Sequence, residues 1–268
     1  MEAFFVFSSA DRTVYGRNQI LEAVCQFRFP AILSIETDVP AAYQDAVRDV
    51  FPRYANRREQ QAPKMQMTPG QTPRVESQPP VTNHSFSTAD GACRINLTKD
   101  FLAVTVNRYT RWEDFARMLD KALYQFIQVY KPALFDRVGL RYINTFSRRA
   151  LELEETPWRD LIEGCYLGLM GEEAAPEKAF SRCTQDVELS LPGGCRLKLH
   201  AGPGLVRRGT DTSDKEVKFV LDLDVSMSGN LPVSGAAGAL NTLHAHAWSV
   251  FRSAITDTLH DAMEPKEG

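Results

Sequence analysis

Three arginines on strand-like segments, Arg28, Arg141 and Arg196, together with His200, are the side chains of this sequence best suited to gripping an anion. An arginine fork donates paired hydrogen bonds to a carboxylate or phosphate, and aligned strands would gather several forks on one concave face. Residues 135–146, FDRVGLRYINTF, alternate like a strand. That alternation puts Arg137, Gly139, Arg141, Ile143 and Thr145 on one face and Val138, Leu140, Tyr142, Asn144 and Phe146 on the other. The commoner role of such charges is cross-strand pairing, here with Glu188, Asp222 or Asp224, and that role carries more weight. Asp222 and Asp224 are spaced i, i+2, about 7 Å apart on one strand face, which suits a divalent cation or acid–base work. Ion pairs with Lys215, Lys218 and the basic segment 196–200 explain them more simply, so no metal and no cofactor is expected.

The segment GPGLVRRGTDTSD, 202–214, is a glycine-rich basic loop in which backbone amides with Arg207 and Arg208 could cradle phosphate. It matches neither a phosphate-loop nor a dinucleotide fingerprint, and it reads more simply as a hairpin loop. His244 and His246 point about 200° apart on a helix and cannot share a metal, and His246 and His260 would lie about 21 Å apart on one. A surface or interface role is expected for these histidines. The five cysteines are scattered without a C-x-x-C pair and read as reduced, mostly buried thiols. No G-x-S-x-G nucleophile elbow is present.

The elements that must position these side chains come next. Segment 22–30, EAVCQFRFP, is a half-buried strand, and 38–52 a helix opened by Asp38 and Pro40. Residues 59–80 are rich in Gln and Pro and read as a loop or edge ribbon that could present an extended peptide. Two short strands follow at 93–97 and 101–109. A long helix over 110–132 then carries Trp112, Phe115, Leu119, Leu123, Phe126 and Tyr130 on one stripe, with Thr110 and Glu113 spaced for a capping box. Residues 156–171 read as a helix, 184–202 as a hairpin about Pro192-Gly193-Gly194, and 215–227 as a strictly alternating strand. A final helix is predicted from 239 to 263. The glycine within 135–146, Gly139, suggests room for a large neighbour such as an aromatic side chain from a helix, and Asn144 suggests a buried amide tying strand to loop.

The 268 residues carry a formal charge of −3, which supplies no reason for the chain as a whole to seek nucleic acid. No apolar run approaches the roughly 18 residues needed to span a bilayer. The N-terminus has an apolar patch at 4–7, but Glu2 and the lack of a basic stretch argue against a signal peptide, so a cytoplasmic location is expected. The patch at 4–7 reads as an added strand or part of a homodimer contact.

Element order repeats. Residues 1–134 and 135–268 each read strand, helix, strands, long helix, and short echoes accompany this: QFRF at 26–29 with GLRY at 139–142, and GACRINL at 91–97 with GGCRLKL at 193–199. The expected fold is α+β, with two pseudo-symmetric halves that are each a helix-backed, mainly antiparallel sheet, or one continuous sheet. YGRNQILEAVCQFRFP, AYQDAVRDVFPRY, RWEDFARMLDKALYQFIQVYKP and RVGLRYIN together resemble an uncharacterised, sporadically distributed bacterial family, over nearly the whole length. The resemblance implies no activity, ligand or catalytic residue, and its sporadic distribution suits an accessory or defence-associated system. The functional expectation is a non-enzymatic binding protein that recognises a protein partner or a small ligand at the seam between the halves. The alternative is an enzyme acting on an anionic or nucleotide-like substrate. There Arg28, Arg141, Arg196 and His200 would bind charge, and Asp222 with Asp224 would act as metal ligands or base.

Overall fold

Nine strands form a single antiparallel sheet, and apolar alternation marks most of them. The structure is a computed structural model, and it describes residues 12–60, 64–66, 74–76, 78–206 and 213–266. In chain order the elements are β1 (Val14–Tyr15), β2 (Ile20–Arg28), α1 (Ser34–Thr37), α2 (Ala41–Val47), β3 (Arg53–Glu59), β4 (Lys64–Gln66), β5 (Arg74–Glu76), β6 (Val81–Ser87), β7 (Cys93–Leu97), β8 (Phe101–Val106) and α3 (Trp112–Tyr130). There follow β9 (Leu134–Phe146), α4 (Gly164–Leu167) between short 3-10 turns, β10 (Gln185–Leu191), β11 (Cys195–Leu205), β12 (Val217–Pro232), α5 (Ala236–Ala254), α6 (Asp257–Ala262) and β13 (Pro265–Lys266). The main sheet runs β10-β11-β12-β9-β2-β8-β7-β6-β3, while β4 with β5 and β1 with β13 form separate ribbons. The fold is therefore mixed α+β.

The sheet crosses the boundary at 134/135 without a break, because β2 pairs with β9. On either side of that seam the strand order matches. β2 has β8, β7 and β6 beyond it, and β9 has β12, β11 and β10, with β3 as an extra edge on the first side. The sequence echoes fall on matching strands. Gln26 lies opposite Gly139 across the seam, and Cys93 and Cys195 open β7 and β11.

The apolar sheet face carries the helices. Inward residues Cys25 and Phe27 of β2, Val138 and Leu140 of β9, and Phe219, Leu221, Leu223 and Val225 of β12 are almost wholly buried. Aromatic pairs close this layer, among them Phe27–Phe135 at 5.2 Å and Phe29–Phe126 at 4.7 Å between ring centres. The buried Tyr43 of α2 donates from its hydroxyl to Ala122 O of α3 at 3.0 Å, so its polar tip is satisfied inside the core.

Several expectations change. The long helices divide the sheet between them: α5 packs on β9 and β12, whereas α3 lies on β8 and α2. The capping box does not form: Thr110 Oγ1 donates to Asp114 at 2.6 Å, and Glu113 pairs with Arg12. The final helix is broken at Ile255, where the chain turns extended and bridges to Ile162. Glu163 N–H donates to Ala254 O and Thr256 N–H to Leu161 O, so long-range pairing overrides the helical stripe. Thr256 then caps α6 by accepting from Leu259 N. The expected helix at 156–171 is reduced to α4 and 3-10 turns. Gly168 takes a φ of 56°, and the backbone of Gly164 packs closely against Gly171. β3 had no strand signature, because as the edge strand it is exposed on nearly every residue.

Candidate functional site

Arg28, Arg141, Arg196, His200, Asp222 and Asp224 all lie on the outward face of the sheet, and register decides their partners. Asp222 and Asp224 face Ile143 and Arg141 across β12–β9. Arg141 forks onto the Asp222 carboxylate, with Nε at 2.8 Å. Arg137 holds Asp224 at 2.7 and 3.0 Å. Glu188 takes Lys198 at 2.9 Å and Arg196 at 3.6 Å, and His200 Nδ1 meets Asp186 at 2.8 Å. Such cross-strand pairs orient their side chains more than they stabilise the fold. Arg28 and Arg141 do not meet. Antiparallel pairing sets Arg28 against Arg137 and Arg141 against Val24, so the two arginines lie on opposite sides of the Gln26–Gly139 pair. Gln26 Oε1 accepts from both Arg28 and Arg137 and so bridges two like charges placed face to face.

Gly139 has a different neighbour from the aromatic expected. The Arg137 guanidinium lies along β9 over it and fills the space a Cβ would take. The absent side chain lets Arg137, which faces Ser228, reach four residues along β12 to Asp224. Arg207 and Arg208, like the patch at 4–7, lie outside the described residues. Among the described residues no group of three or more His, Cys, Asp or Glu side chains is placed to hold a metal ion.

The opposite face holds a recess that the sequence did not announce, directly at the seam. Its floor is Tyr142 and Asn144 of β9 with Leu223 of β12. One wall is the start of α3, Tyr109 to Trp112. The other is a stripe of α5, His244, Ala247, Trp248 and Phe251, spaced by three and four residues as one helical face requires. The strap 12–20 closes it. Asn18 Nδ2 ties that strap to Tyr109 O at 3.1 Å, Gly16 N–H to Glu264 O at 2.9 Å, and Tyr15 OH to His260 Nδ1 at 2.7 Å. The cavity volume is about 80 Å³. The recess is therefore a narrow slot.

His244 is its chemical centre. The imidazole stacks on the Trp112 indole at 4.3 Å between centres and 8° between planes. Its Nδ1 shares a hydrogen bond of 3.1 Å with the Tyr142 hydroxyl. The Tyr109 ring meets Tyr142 edge-on at 5.5 Å. Burial lowers the His244 pKa to about 4, helped by the Arg12 charge and opposed by Glu113. Burial likewise lifts Tyr109 to about 12 and Tyr142 well above the ordinary tyrosine value. All three groups are uncharged at neutral pH. Nε2 of His244 is sealed from solvent with no partner. Whichever way the Tyr142 hydroxyl turns, Nε2 is left with one proton or one lone pair unused. Such an atom costs about 1–3 kcal/mol, which a protein tolerates where the atom has a use. The expectation of a surface or interface histidine changes for residue 244, which is half-buried on the flank of the Leu240–Leu243–Ala247 stripe with its ring stacked on Trp112.

The fold and recess define a two-layer α+β protein with one charged open sheet face and one aromatic slot at the centre of the helical face. Comparison of the chain with protein-family models and with curated proteins finds no match. Among the described residues no helix is long and apolar enough to cross a membrane.

Proposed function

We propose that this protein is a binding module that receives a small ligand in the slot at the β2–β9 seam. The observation that carries this is the unpartnered, buried Nε2 of His244 in an aromatic recess to which both halves contribute, Tyr109 and Trp112 from the first and Tyr142, His244 and Trp248 from the second. A concave, mostly apolar site with few polar groups at a junction of structural units is the usual form of a small-molecule site. A role in an accessory bacterial system, carried by the family resemblance, belongs to this proposal. Against the enzyme reading, the Asp222 and Asp224 carboxylates are engaged by arginines on an open face, away from the slot. That face is also the surface a protein partner would meet, and there Arg137, Arg141 and Lys198 are engaged by Asp224, Asp222 and Glu188.

The test is a thermal-shift screen of the whole protein with a library of small aromatic and polar fragments. Stabilising hits are expected that Trp112→Ala abolishes. A screen without hits, or hits unaffected by Trp112→Ala, would sink the proposal.

A further inference from the structure

We propose that the slot takes a small, uncharged, planar heteroaromatic molecule with hydrogen-bonding atoms along one edge, a free nucleobase or its close analogue, in preference to a phosphate ester. This rests on the reading that the slot is a ligand site. Three features of the recess support it.

The first is shape. Flat aromatic surfaces line a slot too narrow for a bulky group, and stacking on such surfaces accepts any ring with a π-face. The second is charge. The cations lining the recess are Arg12 and Arg111. Arg12 is engaged by Glu113, and Arg111 lies 3.5 Å from Asp114, so each faces a carboxylate at the rim. His244 is held uncharged and supplies no third cation. A phosphate would have to break one of these pairs to find a fork. The third is the polar inventory. His244 lines the slot and has one ring nitrogen without a protein partner; that atom is sealed in this structure, so a ligand has to part the slot at the ring edge to reach it. Asn144, on the floor, donates from Nδ2 to Leu221 O at 3.0 Å and carries a carbonyl oxygen that can accept. A neutral imidazole and an amide can read the donor and acceptor pattern of a heterocycle edge. A site built around such groups discriminates strongly against rings that lack the matching atoms.

The experiment is a set of titrations of the whole protein, followed by tryptophan fluorescence and by thermal shift. The probes are adenine, hypoxanthine, cytosine and uracil, with AMP, indole and a short single-stranded oligonucleotide as contrasts. Each is run on wild type and on His244→Phe, whose fold is checked by circular dichroism. At least one free base is expected to bind, and AMP at least about tenfold more weakly. The base should lose about tenfold in His244→Phe, the worth of one hydrogen bond, while indole is unchanged. Tighter binding of AMP or of the oligonucleotide overturns the proposal. So does base binding that His244→Phe leaves untouched. Binding of indole or other fragments, sensitive to Trp112→Ala but with no base bound, overturns the ligand class and leaves the slot as a site. No aromatic probe binding at all overturns both.

Discussion

Replacing His244 by Phe keeps a flat ring against Trp112 and removes both ring nitrogens, and the consequences can be worked through. The buried Nε2 has no partner, so its removal relieves about 1–3 kcal/mol. The Tyr142 hydroxyl loses its bond to Nδ1, costing about 0.5–1.5 kcal/mol. At pH 7.5 the variant should therefore lie between a loss of about 0.5 and a gain of about 2.5 kcal/mol. Acid adds a second term. The folded pKa of about 4 is below the ordinary 6.5, so between those values the unfolded chain binds the extra proton. Stability from this residue is whole above pH 6.5 and is lost as pH falls toward 4. At 1.36 kcal/mol per unit the loss by pH 4.5 is about 2.5 kcal/mol. The groups facing the ring are Arg12, Glu113, Tyr109 and Tyr142, of which the tyrosines stay protonated throughout. Urea denaturation of wild type and variant at both pH values isolates the effect, because other titrating groups cancel in the difference. The advantage of the variant should grow by about 2.5 kcal/mol at pH 4.5. A variant more than about 2 kcal/mol less stable at pH 7.5, or an advantage that does not grow in acid, would refute the reasoning.

Three further outcomes follow from the geometry. Gly139→Ala should cost about 1 kcal/mol by displacing the Arg137 guanidinium from Asp224, and nothing in an Arg137→Ala background; additive costs in the double-mutant cycle would exclude that coupling. Lys131 ends α3 with a φ of 48°, so Lys131→Gly should gain about 0.5–1 kcal/mol in urea unfolding, and a loss would contradict the strain assigned there. Thr256→Ala removes the cap of α6 and should cost about 1 kcal/mol; an unchanged urea midpoint would show that the bond to Leu259 N contributes nothing.

Much of the framework was legible because its signals are local. Alternation marked β2, β7, β8, β9 and β12, the apolar stripe marked α3, and Pro192-Gly193-Gly194 marked the β10–β11 turn. Each depends on which way neighbouring side chains point along one segment, and the backbone period alone sets that. The charged face was half legible: the residue types foretold Arg–Asp pairing, but only strand register chose Asp222 for Arg141 and Asp224 for Arg137.

The recess was not legible, for a physical reason. Tyr15, Trp112, Tyr142 and His244 come from a strap, two helices and a strand spread along most of the chain, and no spacing links them. A histidine on the flank of an amphipathic helix reads the same whether water or an indole lies beside it. The same limit hid the break at Ile255, whose cause is a strand-like partner far away at Ile162. The sequence by itself determined the strands, their inward faces, the long helices and the charge-pairing chemistry. Tertiary structure decided which charges met, why Gly139 is bare, and that His244 is buried and uncharged. Those outcomes depend on which distant groups come into contact and on how much water they exclude.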